Sequence, residues 1–329
     1  MSSKKNCRIT KVEALTKDIT SFEIEVLDDS FERNTFDNLE AGSHLDVYFN
    51  DGLIRQYSLW DWSEDKTRVS IAVKREDQGN GGSIQMHQFK VDNLITIDGP
   101  RNNFKLIPNK PHYTLIAGGI GVTPIFAMAR ELVAQKASFD VYYLVQKEEL
   151  AAFSSHFEKL GLNDIETCSY NLHCDDQNGF VDFDSLIKNL PDASVIYTCG
   201  PEPMLNKIIE TVDATASNHK KSHELHFERF TLASEETEKE NKPFEVKINS
   251  TGAIYTVNEN DTILTVLAEN GVDVASACAQ GLCGTCITDV LEGEIDHRDG
   301  ILSDDEKASN ETICVCISRA KSSQITLDL

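Results

Sequence analysis

Three cysteines within nine residues constrain this chain more than any other feature: Cys278, Cys283 and Cys286, spaced C-x4-C-x2-C, with a fourth, Cys316, thirty positions further on. Three thiols from one tight loop and one from a separate strand is the ligand spacing of a plant-type [2Fe–2S] centre. Two iron ions need four thiolates, so the chain must bend sharply around a single point. Gly281 and Gly284 allow backbone dihedrals that other residues resist. Zinc sites favour short paired spacings with histidine, and this run has no histidine beside it. Cys314 competes with Cys316 for the fourth place, because in an extended strand both would face the same side.

The chain has 329 residues, enough for two or three domains. No apolar run approaches the roughly 20 residues that span a bilayer. The start, Met1-Ser-Ser-Lys-Lys-Asn, leads into no apolar segment, so no signal peptide is expected. The remaining cysteines, Cys7, Cys168, Cys174, Cys199 and Cys314, are scattered, which predicts a reducing, cytoplasmic setting and not a disulfide framework. Acidic residues outnumber basic ones by 54 to 31, a net charge of −23. Nucleic acid and anionic membranes are poor partners for such a surface. A positively charged protein partner is a compatible one.

Residues from about 7 to 105 read as β structure. Ile19-Thr-Ser-Phe-Glu-Ile-Glu-Val, Leu45-Asp-Val-Tyr-Phe and Val69-Ser-Ile-Ala-Val alternate as half-buried strands do. Asp28-Asp-Ser, Asn50-Asp-Gly, Asn80-Gly-Gly and Asp98-Gly-Pro punctuate them as turns. Short strands so divided predict a small antiparallel barrel. Two of its segments carry chemistry. Arg55-Gln-Tyr-Ser-Leu59 offers a guanidinium fork that matches a phosphate. In Val73-Lys-Arg-Glu-Asp-Gln-Gly-Asn-Gly-Gly-Ser83, Gly81, Gly82 and Ser83 can present N–H groups and a hydroxyl to an anion at the start of a helix through Ile84-Gln-Met-His-Gln.

Near residue 112 the pattern changes. Tyr113-Thr-Leu-Ile-Ala is a short apolar run fit for a buried parallel strand. Gly118-Gly-Ile-Gly-Val-Thr-Pro124 follows, and then a helical period through Ile125, Met128, Ala129, Leu132 and Val133, with Pro124 as first helical residue. Strand, glycine turn and helix form a dinucleotide site: the glycines admit a pyrophosphate and the helix start stabilises its charge. Alternation continues with a strand at Val141–Val145, a helix from Glu149 to Leu160, a strand at Ser194–Cys199 and Gly200-Pro-Glu-Pro-Met-Leu opening another helix. This predicts a parallel sheet. His226-Phe-Glu-Arg-Phe230 reads as its last strand.

Ser234-Glu-Glu-Thr-Glu-Lys-Glu-Asn-Lys242 has charge and nothing apolar, as a solvated linker does. From Pro243 a compact unit begins: a hairpin of Phe244–Ile248 and Ala253–Val257, a helix from Thr262 to Asn270 capped by Asp261 and stopped at Gly271, the cysteine loop, a strand over Cys286–Val290, and a last strand at Ile325–Leu329. About 87 residues with few helices suit a β-grasp ferredoxin module. The predicted division is 1–107, 108–230, a linker at 231–242, and 243–329.

Taken in order, R-x-Y-S-L, V-K-R-x(n)-G-x-G-G-S, G-G-I-G-V-T-P, C-G-P-E-P-M and a C-terminal ferredoxin resemble the phthalate dioxygenase reductase family. Vanillate O-demethylase reductase and the carnitine monooxygenase reductase are its near relatives. The resemblance covers essentially the whole chain. It implies FMN, NADH as donor, a [2Fe–2S] centre and a Rieske-type terminal oxygenase as electron acceptor. It places Arg55, Tyr57, Ser58, Leu59, Ala72, Lys74, Gly81, Gly82 and Ser83 around FMN. Gly119, Thr123, Cys199, Gly200 and Pro201 fall on the NADH site, with Glu228 and Phe230 near the flavin. The x29 gap to Cys316 matches the family. FMN and not FAD follows from the G-G-S loop and the C-terminal ferredoxin. Asp296-His-Arg-Asp299 and Leu302-Ser also match family text and read as structural. Where relatives carry an arginine after the second strand of the NADH domain, this chain has Val145-Gln146-Lys147; no 2′-phosphate site results, so NADH stays preferred. A hydride carries two electrons and an iron–sulfur centre accepts one, so a flavin between them is the expected relay. A stand-alone NADH oxidase and a cluster-bearing redox sensor are the rival functions; the second lacks any recognition element such as a basic helix.

Overall fold

The computed structural model describes residues 4–27, 36–50, 52–79, 81–219, 223–230, 241–276, 279, 281–282 and 284–329. They fall into two units, Met1–Glu228 and Arg229–Leu329.

In the first unit six strands close a barrel: β1 (Lys5–Ala14), β2 (Ile19–Val26), β3 (His44–Tyr48), β4 (Ile54–Trp62), β5 (Arg68–Lys74) and, after the short helix α1 (Gly82–Met86), β6 (Leu94–Arg101). Their order is β1-β2-β5-β4-β3-β6. Alternation explains the inside. Phe22, Ile24, Val69, Ile71 and Val73 point into one core, and each such side chain, fully buried, contributes about 1.5–3 kcal/mol. The Asp98-Gly-Pro turn was not found. These residues lie within β6, whose pairing with β3 shifts register between His44 and Asp46. A local irregularity of this kind is where a sheet tolerates proline. Asp28-Asp-Ser lies outside the described residues.

A five-stranded parallel sheet follows, ordered β11-β10-β7-β8-β9. Its strands are β7 (Tyr113–Gly118), β8 (Phe139–Val145), β9 (Cys168–Cys174), β10 (Val195–Cys199) and β11 (Glu224–Glu228). The helices are α2 (Val122–Gln135), α3 (Ser154–Leu160), α4 (Asp175–Asn178), α5 (Phe183–Asn189) and α6 (Glu202–His219). Every residue of β7 is buried, as a strand covered on both faces requires. A 3-10 turn over Gly119–Gly121 precedes α2, so Pro124 is its third residue and not its first; the first turn donates no intrahelical N–H, so proline is tolerated there too. β11 begins and ends two residues earlier than expected. The predicted helix from Glu149 divides into a 3-10 turn, Glu148–Leu150, and α3. α2 packs on the barrel: Trp60 lies 5.9 Å from Phe126 between ring centroids, and Arg130 pairs with Asp61.

In the second unit β12 (Phe244–Ile248) and β13 (Ile254–Val257) form the expected hairpin. Then come α7 (Ile263–Glu269), β14 (Ile287–Glu292), β15 (Ile295–Asp296), α8 (Asp304–Ser309), β16 (Thr312–Cys314), β17 (Arg319–Ala320) and β18 (Gln324–Leu327). The main sheet runs β13-β12-β18-β14-β16. Thr262, not Asp261, caps α7, in a capping box with Thr265. Asp261 instead accepts the Asn258 backbone N–H at 3.2 Å and side-chain amide at 2.8 Å, so its carboxylate is turned the other way. Residues 231–240 of the predicted linker lie outside the described residues. Asn241 and Lys242 are fastened to the second unit, their oxygens accepting from Arg298 at 2.8 Å and from Arg319 at 3.3 Å. Among the described residues no helix is long and apolar enough to cross a membrane.

Candidate functional site

The barrel segments read separately in the sequence meet in space. Gly82 opens α1, and a Cβ placed on it would stand 2.4 Å from Arg55 Cγ. The guanidinium stem therefore lies directly on the glycine turn. Gly81 takes φ +83°, a left-handed backbone that favours glycine. Ser83 Oγ accepts the Glu76 N–H at 3.0 Å and donates its own proton to the Glu76 carbonyl at 3.5 Å. Arg55 Nη1 donates to the Ile54 carbonyl at 2.8 Å. Lys74 pairs with Glu76 at 2.5 Å in the open. A cradle of glycine, guanidinium and hydroxyl fits a phosphate group. Tyr57 is half-buried, and burial raises its phenol above the ordinary range. Leu59 is fully buried in the barrel core. Ala72 is buried with the core of the neighbouring sheet.

The two glycine loops at the carboxyl ends of β7 and β10 also close on each other. A Cβ on Gly121 would lie 2.3 Å from the Cys199 carbonyl oxygen, and one on Gly200 would lie 2.8 Å from Gly118 Cα. Gly119, by contrast, faces open space. Parallel pairing sets Cys199 beside Ala117 on one side and Glu228 on the other. Thr123 is buried and donates its hydroxyl to the Ile120 carbonyl at 3.2 Å. Pro201 rests against Gly118, together with Met204, whose sulfur would meet a Gly118 Cβ at 2.7 Å. Met204 is the residue sequence reasoning passed over. It stood inside C-G-P-E-P-M, but only the Cys, Gly and Pro positions were assigned a role.

Ser58 and Glu228 join the two parts of this unit. Ser58 Oγ donates to Glu228 Oε2 at 3.4 Å. Glu228 retains some exposed surface, yet its carboxyl end is enclosed, and burial pushes its pKa up to about 8 against the lowering effect of Ser58. Cys199 is fully buried, and burial, then the Glu228 charge, raises its thiol well above the ordinary value. It is an uncharged, small wall. Phe230 is exposed and belongs to the second unit.

In the second unit Cys278 and Cys283 lie outside the described residues. Cys286 precedes β14, Cys314 ends β16, and Cys316 sits in the turn beyond it, where Ile317 N and Ser318 N donate to the Cys314 carbonyl at 3.2 and 2.9 Å. Strand geometry does not extend to Cys316, so the premise that Cys314 and Cys316 share one strand face fails. All three thiols are buried. Hydrogen bonds from Cys314, then Cys316, draw the Cys286 thiol well below its ordinary pKa. Cys286 and Cys316 bring two soft sulfurs together, the kind of donor that iron takes. Gly281 and Gly284 take φ +68° and +71°, as expected of the loop. Among the described residues no group of three or more His, Cys, Asp or Glu side chains is arranged to hold a metal ion.

Comparison with known proteins accounts for both units. Residues 6–106 match the oxidoreductase FAD-binding domain family, residues 115–210 the oxidoreductase NAD-binding domain family, and residues 246–321 the 2Fe-2S iron-sulfur cluster binding domain family. Phthalate dioxygenase reductase of Burkholderia cepacia is 36% identical over 326 residues, 98% of this chain and 96% of that protein. Oxidoreductase NdmD of Pseudomonas putida is 38% identical over 88% of this chain, which spans only 48% of its length. The crystal structure of phthalate dioxygenase reductase, described as modular for electron transfer from pyridine nucleotides to [2Fe–2S], matches with a TM-score of 0.71 at 35% identity, covering 98% of this chain and 97% of that one. This chain is accordingly an oxidoreductase with flavin-binding, NAD-binding and [2Fe–2S] domains, and it belongs to the phthalate dioxygenase reductase family.

Proposed function

We propose that the protein takes electrons from NADH on FMN and passes them through its [2Fe–2S] centre to a Rieske-type terminal oxygenase. The domains are 1–107 for FMN, 108–230 for NADH, 231–242 as linker and 243–329 for the cluster. The observation that carries the reading is the convergence of the Gly118–Gly121 loop, Cys199 and Glu228 at one end of the parallel sheet, tied by Ser58 to the barrel strand that also holds Arg55. Flavin, when bound, supplies the exchange between paired and single electrons that a nicotinamide and an iron–sulfur centre cannot perform directly.

The side chains bind and orient. Arg55, Gly81, Gly82, Ser83 and Lys74 are suited to the phosphate of FMN, and Tyr57, Ser58, Leu59 and Ala72 to the flank of its ring. Gly119, Thr123, Gly200 and Pro201 suit the nucleotide. Cys199 presents no charge and excludes water from the sheet end. Glu228, with its raised pKa, holds a proton on its carboxyl at neutral pH. Cys278, Cys283, Cys286 and Cys316 are the four thiolates. The seven described cysteines are all free, which suits the cytoplasm.

Anaerobic NADH is expected to bleach flavin absorption, and the flavin released on denaturation to be FMN by chromatography; released FAD would overturn that part. Cys283→Ser is expected to abolish cytochrome c reduction and spare NADH–ferricyanide activity, which runs from the flavin. Unchanged cytochrome c reduction would contradict the relay. Retention of a co-expressed oxygenase on the immobilised protein tests the partner.

A further inference from the structure

Asp299 is a buried carboxylate with no part in the relay as derived above. Its side chain is 0% exposed, and burying such a group is costly unless it is well hydrogen-bonded. The Leu302 N–H donates to Oδ2 at 3.0 Å and the Ser318 hydroxyl to Oδ1 at 3.1 Å. His297 Nδ1 stands 3.6 Å from Oδ1, and neither ring nitrogen of His297 has a hydrogen-bond partner. The Asp299 carbonyl accepts from Lys307 Nζ at 2.8 Å.

These bonds join the two segments that bear the cysteines. On one side the Gly300 N–H donates to the Gly281 carbonyl at 3.0 Å, and a Cβ on Gly281 would lie 3.1 Å from Asp299 Cα. Gly281 therefore rests on the Asp299 backbone. On the other side Ser318, held by the carboxylate, lies two residues past Cys316, and its N–H closes the turn onto Cys314 at 2.9 Å.

We infer that Asp299 is a positioning residue for the [2Fe–2S] centre: it locks the turn that follows Cys316 to the cysteine loop, and its buried negative charge holds the centre's reduction potential down. The inference rests on the reading of Cys278, Cys283, Cys286 and Cys316 as ligands. An electron added near a fixed negative charge is disfavoured; for unit charges about 12 Å apart at an effective dielectric of about 20, a one-electron equilibrium shifts about tenfold.

The test uses the full-length holoprotein and its Asp299→Asn variant, which keeps the shape and removes the charge. Three quantities are read: iron and acid-labile sulfide per chain, the EPR g values of the reduced centre, and its midpoint potential. The variant is expected to hold parental iron and sulfide, with altered g values and a midpoint about 59 mV more positive, which is a tenfold shift for one electron. Its NADH–ferricyanide rate stays parental. A fully loaded Asp299→Asn protein with parental midpoint and g values overturns the inference. Should that variant lose its iron, Asp299→Glu decides: restored iron supports the assignment, and iron lost in both overturns the role of the charge. Parent protein without iron and sulfide would refute the ligand reading instead.

Discussion

The nucleotide end of the first unit and the cysteine site of the second are built from opposite materials. The first is mostly backbone. Gly118, Gly121 and Gly200 matter for the side chains they lack, since each lets one loop come within touching distance of another. The second is mostly side chain: Cys286, Cys314 and Cys316 bring buried sulfurs together. A phosphate or a planar ring is recognised by N–H groups and by room, whereas iron is recognised by donor atoms. Backbone sites should therefore fail when anything is added, and side-chain sites when one donor is removed.

The sharpest test of that contrast is Cys286→Ser. Removing one sulfur is expected to abolish cytochrome c reduction while NADH–ferricyanide activity persists, as steady-state assays will show. Next is Gly121→Ala, a single methyl group. Its Cβ would lie 2.3 Å from the Cys199 oxygen and 2.7 Å from Gly200 N, both backbone atoms that cannot swing aside. Overpacking of this kind costs about 1–3 kcal/mol, and NADH affinity in a spectral titration should fall about tenfold, the equivalent of about 1.4 kcal/mol. Flavin content should hold, because the barrel cradle is untouched.

A third prediction concerns Glu228, an ionisable group between the two parts of the first unit. Burial raises the Glu228 carboxyl to about 8. The folded protein then binds a proton that the unfolded chain has released above its ordinary carboxylate range. Stability is fully present below that range and is lost as pH rises through about 8. The slope reaches about 1.4 kcal/mol per pH unit at most. Thermal unfolding of flavin-free protein across this window should show the decline, and Glu228→Gln should flatten it. The smallest effect is Thr262→Ala in the second unit, where loss of the α7 cap is expected to cost about 1 kcal/mol and to leave the relay intact.

The same contrast explains how much could be read from the sequence. The cysteine spacing pointed at once to an iron–sulfur domain, which the family match bears out, because donor atoms are written as residues at fixed intervals. The parallel strands Tyr113–Ala117 and Val195–Cys199 were legible from unbroken apolar runs. β9 was not: Cys-Ser-Tyr-Asn-Leu-His-Cys lies at the edge of the sheet and mixes polar and apolar residues without a clean period. β4 was seen only as a motif, since Arg55, Gln56 and Ser58 obscure its alternation. Packing between distant segments left no local trace. Arg55 over Gly82, Met204 beneath Gly118, and Asp299 against Gly281 are all products of the fold. The cap of α7 was misplaced by one residue because Asp261 and Thr262 are both good caps, and only the Thr262–Thr265 box separates them.

The account depends most on the division of an electron pair within this one chain. Anaerobic titration with NADH, followed by visible absorption and by low-temperature EPR on the same samples, tests it most directly. Bleaching of the flavin bands accompanied by the growth of a reduced [2Fe–2S] signal is the predicted result. Bleaching with the iron–sulfur centre left oxidised would contradict it.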